Sequence, residues 1–213
     1  MHALAVMVKA PVPGLVKTRL VPPLTFDEAA GLYRCFVKDT FDRVAGLEGV
    51  RFFSPYAPPA LADEVVSVIP AGVEAFAQAG HTLGERISNV FKRLFSEGYG
   101  KVVVIGSDSP DVPLRYIEDA FKALGRVSLV LGPAEDGGYY LIGMNRFDER
   151  PFAAIPWSTS KVMDETLKRA NSARMPFELI SLWHDYDSFD DLALLRDNHS
   201  APASSTFLTG LAI

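Results

Sequence analysis

The sequence predicts an α/β fold: a mostly parallel, mixed sheet with helices on both faces. Three observations predict it. Short β-branched apolar runs bounded by glycine, such as Lys101-Val102-Val103-Val104-Ile105 between Gly100 and Gly106, read as strands buried on both faces. Between such runs lie stretches of helical apolar period, two of them opened by a Thr-x-x-Glu capping pattern. Strands alternating with helices imply parallel pairing, and the close pair of apolar runs around Gly132–Gly138 adds a mixed region. No linker or composition break divides the chain, so residues 1–199 are expected to form one domain, followed by a Ser/Ala-rich tail at 200–213.

The elements follow in order. Leu4–Val8 is a first buried strand, followed by a loop from Lys9 to Pro23. Thr25 and Glu28 start a helix whose apolar positions, from Phe26 to Val44, keep a helical period. Val50–Phe53 reads as a strand and Pro55–Pro59 as a loop, with a short helix near 60–65 and an extended segment at 73–77. Thr82 and Glu85 open a second long helix lined by Ile87, Val90, Phe91 and Leu94. After the strand at 101–105 the sequence predicts a helix near 114–124, strands at 128–131 and 139–144, and a helix near 160–170. A strand at 177–182 and a helix at 189–197, capped by Ser188 and Asp191, complete the pattern. The tail is expected to be either disordered or docked through Phe207 and Leu208.

With 213 residues, 48% of them apolar and 22% charged, the chain can bury one substantial core. A net charge of −5 and the lack of a basic stripe argue against a nucleic-acid partner. Cys35 is the only cysteine, which excludes a disulfide framework and a cysteine metal site, and its apolar neighbours predict a buried thiol. No run approaches the roughly 18 apolar residues of a membrane span. Leu4–Val8 is too short for a signal peptide and runs into Lys9, so a cytoplasmic location is expected.

Chemistry concentrates in the loops that follow strands, where open α/β sheets bind their ligands. Ile105-Gly106-Ser107-Asp108-Ser109-Pro110-Asp111 delivers two carboxylates just past a strand. Hard oxygen ligands there suit Mg²⁺ or Mn²⁺ bound together with substrate phosphates, the alternative being an Asx-turn that only caps the strand. The first loop carries Pro11, Pro13, Gly14, Lys17 and Arg19; a glycine and two cations after a first strand are well placed for a diphosphate. It has neither the Walker spacing nor G-x-G-x-x-G. Gly132–Tyr140 offers Asp136, paired glycines that permit close backbone approach, and two aromatic faces, or simply a hairpin turn. Trp157 is a core residue or a platform for a sugar ring, and Asp187 is either a metal ligand or part of a helix cap. His81 and His184 lack partners at metal-ligand spacing, so structural or surface roles are expected for them.

Taken together and in this order, K-A-P-V-P-G-L-V-K-T-R-L, Q-A-G-H-T-L-G-E-R, I-G-S-D-S-P-D, G-P-A-E-D-G-G-Y-Y-L-I-G and W-S-T-S, with the closing D-Y-D-S-F-D-D-L, span residues 9 to 192. This set resembles the GT-A-type glycosyltransferase-like family, whose members are named as nucleotide-diphospho-sugar transferases and in some cases linked to arsenosugar biosynthesis. The family shares its fold with 2-phospholactate and molybdenum cofactor guanylyltransferases and with CMP-Kdo synthetase. The resemblance implies a single-domain nucleotide-diphospho-sugar transferase fold. It implies that Ala10, Pro11, Gly14, Lys17, Thr18 and Arg19 hold the donor diphosphate, that Gln78 and Gly80 meet the nucleobase, and that Ser107 and Asp108 complete the nucleotide site. Asp108 would be the first ligand of Mg²⁺ or Mn²⁺. The spacing Asp108-Ser109-Pro110-Asp111 departs from a strict D-x-D, which leaves Asp111 or Asp187 as the second, with Asp187 favoured. Asp136, Gly137, Gly138 and Trp157 would face the sugar or the acceptor.

The expected function is metal-dependent glycosyl transfer from a nucleotide diphosphate sugar to a small-molecule acceptor. Lys17 and Arg19 would neutralise the leaving group, and Asp136 would serve as base. A nucleotidyltransferase that joins an NTP to a phosphorylated small molecule is the alternative on the same fold. A non-catalytic nucleotide-sugar sensor is the third reading. A homodimer is compatible with the sequence.

Overall fold

The computed structural model describes residues 1–211. In chain order its elements are β1 (His2–Val6), β2 (Val8–Lys9), α1 (Phe26–Val44), β3 (Val50–Ala57), α2 (Ala62–Val66), β4 (Glu74–Ala77), α3 (Leu83–Ser96), β5 (Lys101–Ile105), α4 (Leu114–Ala123), β6 (Leu129–Pro133), β7 (Tyr139–Met144), α5 (Val162–Ser172), β8 (Phe177–Leu179), α6 (Phe189–Arg196) and α7 (Pro202–Thr209). The eight strands form one sheet in the order β2-β3-β1-β5-β7-β6-β8, with β4 also pairing β3. Only β7 runs antiparallel to its neighbours, β5 and β6; the other pairs are parallel. The predicted mixed, mostly parallel sheet is what forms.

Alternation along the buried strands sorts side chains to two cores. Leu4, Val6, Val103 and Ile105 face the layer of α1, α4, α6 and α7, where they meet Tyr33, Phe36, Ile117, Leu195 and Leu208. Ala3, Ala5, Val102 and Val104 face α3 and α5, against Phe91, Leu94 and Ala170. The Thr25–Glu28, Thr82–Glu85 and Ser188–Asp191 capping boxes all form, so three helices begin where local hydrogen bonding satisfies their first N–H groups.

Three expectations are corrected. The strand predicted to stop at Phe53 continues through Pro55 to Ala57. Pairing with β1 ends at Phe53, so the prolyl nitrogen, which cannot donate, lies beyond that ladder. The strand expected to reach Leu182 ends at Leu179. Cys35 is partly rather than fully buried.

The last segment is not a loose tail. Residues 202–209 form α7, seated on α1 with Leu208 buried and the Phe207 ring against the bare Cα of Gly31. Ala212 and Ile213 lie outside the described residues. The first turn of α7 is held by Asp39, 1% exposed, whose carboxylate accepts from Ala203 N (2.9 Å), Ser204 N (2.8 Å) and Ser204 Oγ (2.6 Å). Asp39→Ala strips a helix N-terminus of its anion and leaves buried donors unpaired, so a loss of about 2 kcal/mol is expected. Urea unfolding measures it; an unchanged midpoint would show that α7 is held by apolar packing alone. Among the described residues no helix is long and apolar enough to cross a membrane.

Candidate active site

Strands β1 and β5 lie side by side in register, Val6 opposite Ile105, so the loops after them emerge together at one end of the sheet. Because β7 runs the other way, its start at Tyr139 sits at that same end, with Leu141 opposite Ile105. A cleft of 530 Å³ opens there. Its lining includes Lys9, Arg19, Gln78, Arg86, Ser107, Asp108, Asp185 and Asp187, and from the other wall Asp136, Gly138, Tyr139, Trp157 and Ser158–Ser160.

Behind two of these lining carboxylates lies one ammonium that joins them. Lys17 Nζ lies 2.6 Å from Asp108 Oδ1 and 3.1 Å from Asp187 Oδ1, and donates to Tyr186 O at 2.8 Å. The Lys17 side chain is only 3% exposed, whereas Asp108 and Asp187 keep 40% and 47% of theirs open to solvent. Its backbone adopts φ 47°, a left-handed conformation costly for a non-glycine residue, and the ammonium lies 4.8 Å from the centre of the Phe36 ring. Arg19 reaches Asp187 from the solvent side, Nη1 to Oδ2 at 3.3 Å.

Charge is finely balanced at this point. Burial alone would push the Lys17 ammonium down, but Asp108 and Asp187 outweigh it and raise its pKa. Burial would likewise raise the Asp108 carboxyl, and Lys17 reverses that, holding it below the usual carboxylate range. At Asp185 burial outweighs the pull of Lys17. Burial pushes its carboxyl up to about 6, with Asp108 adding to the push and the Ser109 hydroxyl, which donates to Asp185 Oδ1, opposing it.

A raised carboxyl pKa penalises the folded state only where the group is ionised, so the penalty grows between pH 3.8 and about 6 and is complete above that. Asp185→Asn should therefore stabilise the metal-free protein by about 2 kcal/mol at pH 8 and change little at pH 4. Thermal melts in a chelator at the two pH values test this; an equal shift at both would rule out the ionisation penalty.

The neighbouring polar residues are struts. Lys9 N–H donates to Tyr33 Oη at 3.0 Å, Tyr33 Oη lies 2.6 Å from Ser107 Oγ, and Ser107 Oγ donates to Met7 O at 3.1 Å. This chain joins α1 to the ends of β1 and β5. Ser107 is 2% exposed, and its hydroxyl is spent inside the protein.

The far wall is set by two close approaches. Gly137 has φ 86°, a Cβ there would stand 2.3 Å from Ser160 O, and its carbonyl accepts from Met163 N at 2.9 Å. Asp136 is exposed, its Oδ1 accepting from Gly138 N at 2.8 Å. Trp157 packs edge-on to Tyr139, and a Cβ on Gly84 would meet its indole at 2.3 Å.

Of the residues singled out from sequence, Arg19, Gln78, Ser107, Asp108, Asp136, Gly138, Trp157 and Asp187 line the cleft, whereas Lys17 is buried behind Asp108 and Asp187 and is not itself among the described lining residues. Ala10, Pro11, Gly14, Thr18, Gly80 and Gly137 are not among the described lining residues. Ala10 is buried, Pro11 O accepts from Arg34 Nη2 at 2.9 Å, and Gly80 O accepts from Arg86 Nε at 3.1 Å. Asp111 turns away from the cleft, 5% exposed. Sequence reasoning missed Lys9, Arg86 and Asp185 as cleft residues. Arg86 ends the Q-A-G-H-T-L-G-E-R motif, the one signal that marks it.

The donor set suits a hard divalent ion in part. Asp108 and Asp187 are two carboxylates opening on one cleft, yet among the described residues no group of three or more acidic, His or Cys side chains is arranged to hold a metal. An ion there would complete its shell with ligand phosphate and water oxygens, as Mg²⁺ commonly does.

Comparison with known proteins places the chain. A family model described as "Uncharacterized protein conserved in bacteria (DUF2064)" matches residues 40–159. A crystal structure from Desulfovibrio desulfuricans G20, provisionally named a nucleotide-diphospho-sugar transferase, is 33% identical, covers 98% of this chain and 94% of its own, and superposes with a TM-score of 0.91. The chain belongs to the DUF2064 family. The fold of this DUF2064 chain recurs in CMP:2-keto-3-deoxy-manno-octonic acid synthetase complexed with CTP (12% identity, 99% of each chain, TM-score 0.58). It recurs also in Rv0371c of Mycobacterium tuberculosis H37Rv, in complex with manganese (15% identity, 92% of this chain and 98% of that one, TM-score 0.53). No curated protein matches. The resemblance drawn from the motifs is thus borne out for family and fold.

Proposed function

We propose that this DUF2064 chain is a metal-dependent transferase acting on a nucleotide diphosphate sugar. The observation that carries the reading is the pair Asp108 and Asp187, both lining a cleft beyond the strand ends and joined from behind by the buried Lys17 ammonium. Two partly exposed carboxylates and a cluster of cations in one place suit a diphosphate with its counter-ion. Asp108 and Asp187 would hold Mg²⁺ or Mn²⁺, whose positive charge, when bound, offsets the charge developing on the departing diphosphate. Lys17 and Arg19 add to that neutralisation, and Lys9 lies beside them. Gln78, its amide fixed by donation to Pro55 O at 2.9 Å, stands on the wall given to the nucleobase. In the transfer the bond from the sugar carbon to the diphosphate oxygen breaks and a bond to the acceptor oxygen forms. The acceptor hydroxyl's proton passes to Asp136, whose Oδ2 remains free of the turn bond to Gly138. Gly138 and Trp157 shape that wall, and Gly137 holds it to the start of α5. The relative provisionally named a nucleotide-diphospho-sugar transferase supports the donor class.

Nucleotidyl transfer is the second reading, favoured by one observation: the same fold recurs in CMP:2-keto-3-deoxy-manno-octonic acid synthetase complexed with CTP. An NTP would then be attacked at its α-phosphorus by a phosphorylated small molecule, releasing pyrophosphate.

Asp108→Asn tests the shared core of both. Metal-dependent binding of the best nucleotide sugar or NTP, found by thermal shift with and without Mn²⁺, should weaken at least tenfold. A saturating ligand at one hundred times its dissociation constant stabilises by about 2.7 kcal/mol, so the loss is readable. Unchanged affinity in the variant would remove Asp108 from the mechanism. Pyrophosphate released from an NTP would decide for the second reading.

A further inference from the structure

Asp111 is spent on an internal network directly behind the cleft. Its Oδ2 accepts from Tyr186 Oη at 2.7 Å and Asn198 Nδ2 at 2.7 Å, and its Oδ1 accepts from Trp183 Nε1 at 3.2 Å. A buried carboxylate with three donors is well satisfied and rigidly placed. What it fixes is the backbone of the segment that carries Asp185 and Asp187. Tyr186 N donates to Asp108 O at 3.1 Å, and Tyr186 O accepts from Lys17 Nζ at 2.8 Å. One residue therefore touches Asp108's main chain, Lys17's ammonium and Asp111's carboxylate, and stands next to Asp187. The Tyr186 side chain is buried and packs edge-on to Phe36, so it has little freedom to take up the strain if Asp111 is lost.

We propose that Asp111 is a positioning residue which, by gripping the Tyr186 hydroxyl, sets the separation of the Asp108 and Asp187 carboxylates. The proposal rests on the reading of those two aspartates as the cation site. Asp111 touches neither cation nor substrate; its effect runs through Tyr186. Ligands held within about 0.5 Å by locked neighbours bind far better than ligands left to loop motion.

The test uses Mn²⁺ with inorganic pyrophosphate, a probe independent of base and sugar, followed by the electron paramagnetic resonance of bound Mn²⁺. Tyr186→Phe and Asp111→Asn should each weaken Mn²⁺–pyrophosphate binding about tenfold at a temperature where circular dichroism shows both variants folded. Ser204→Ala, which removes a buried hydroxyl bonded to Asp39 far from the cleft, should lower the melting temperature and leave affinity at the wild-type value. If Asp111→Asn does not fold, Tyr186→Phe decides, since it deletes one oxygen and keeps the ring. Wild-type affinity in folded Tyr186→Phe, with Asp108→Asn losing binding, overturns the positioning role and leaves the site reading intact. Wild-type affinity in Asp108→Asn removes the site reading and this proposal with it.

Discussion

Replacing Lys17 by Met is expected to destabilise the metal-free protein by about 2 kcal/mol and to make it unusually responsive to Mn²⁺. The ammonium is 3% exposed and serves both Asp108 and Asp187. Removing one partner of a buried ion pair costs about 3–5 kcal/mol, and the solvent exposure of both carboxylates here lowers that figure. The pH dependence should also change. In the wild type, Lys17 holds Asp108 below its ordinary range, so the pairing stabilises above pH 3.8 and is lost as pH falls. Without Lys17, burial is opposed only by the weaker pull of Lys9, the Asp108 carboxyl moves upward, and the stability gained on raising the pH through the carboxylate range should shrink or reverse in the variant. Melting curves across pH, with and without Mn²⁺, read both effects. A variant whose Mn²⁺ response equals that of the wild type would show that lysine and metal do not compete for the same carboxylates.

Gly137→Ala should produce the other large effect, on the opposite wall. The position combines φ 86° with a prospective Cβ 2.3 Å from Ser160 O, a backbone atom that cannot swing aside. Left-handed strain of about 1 kcal/mol and a clash with main chain together suggest a loss of about 3 kcal/mol. The structure would escape by releasing the 134–138 turn from the start of α5, breaking the Met163 N to Gly137 O bond. Asp108, Lys17 and Asp187 lie on other segments, so Mn²⁺–pyrophosphate affinity should stay near wild type while transfer to an acceptor is lost. Equal loss of both would mean that the two walls are mechanically one.

Much of this was legible in the chain because the signals were local. Thr25 with Glu28, Thr82 with Glu85 and Ser188 with Asp191 each announce a helix start within four residues, and each box forms. The strand at 101–105 was visible because burial on both faces demands an unbroken apolar run. Pro55 misled because a proline usually ends a strand, and its tolerance depends on where β1 stops pairing. Helix α7 was hidden because Pro-Ala-Ser-Ser-Thr carries little charge and no clear apolar stripe; its helicity comes from Asp39 and Gly31 on another element. The acids Asp108 and Asp187 were picked out singly, but nothing local reveals that Lys17, 170 positions from Asp187, bridges them. Asp111 is a candidate ligand by its place just past β5 although its spacing departs from D-x-D, and only the fold shows its oxygens already engaged by Tyr186, Trp183 and Asn198.

The wide separation of the bridge along the chain bears on how relatives should be grouped. The DUF2064 match runs from residue 40 to 159 and so contains Asp108 and the 136–138 turn, while Lys17, Arg19 and Asp187 all fall outside it. Two proteins can therefore score alike over that stretch and differ in the residues that balance charge in the cleft. Sorting genomes by a lysine in the first loop paired with an aspartate just before the penultimate helix would divide such proteins by chemistry instead of by scaffold. Members that keep Asp108 but have lost both partners would be the place to look for a changed trade.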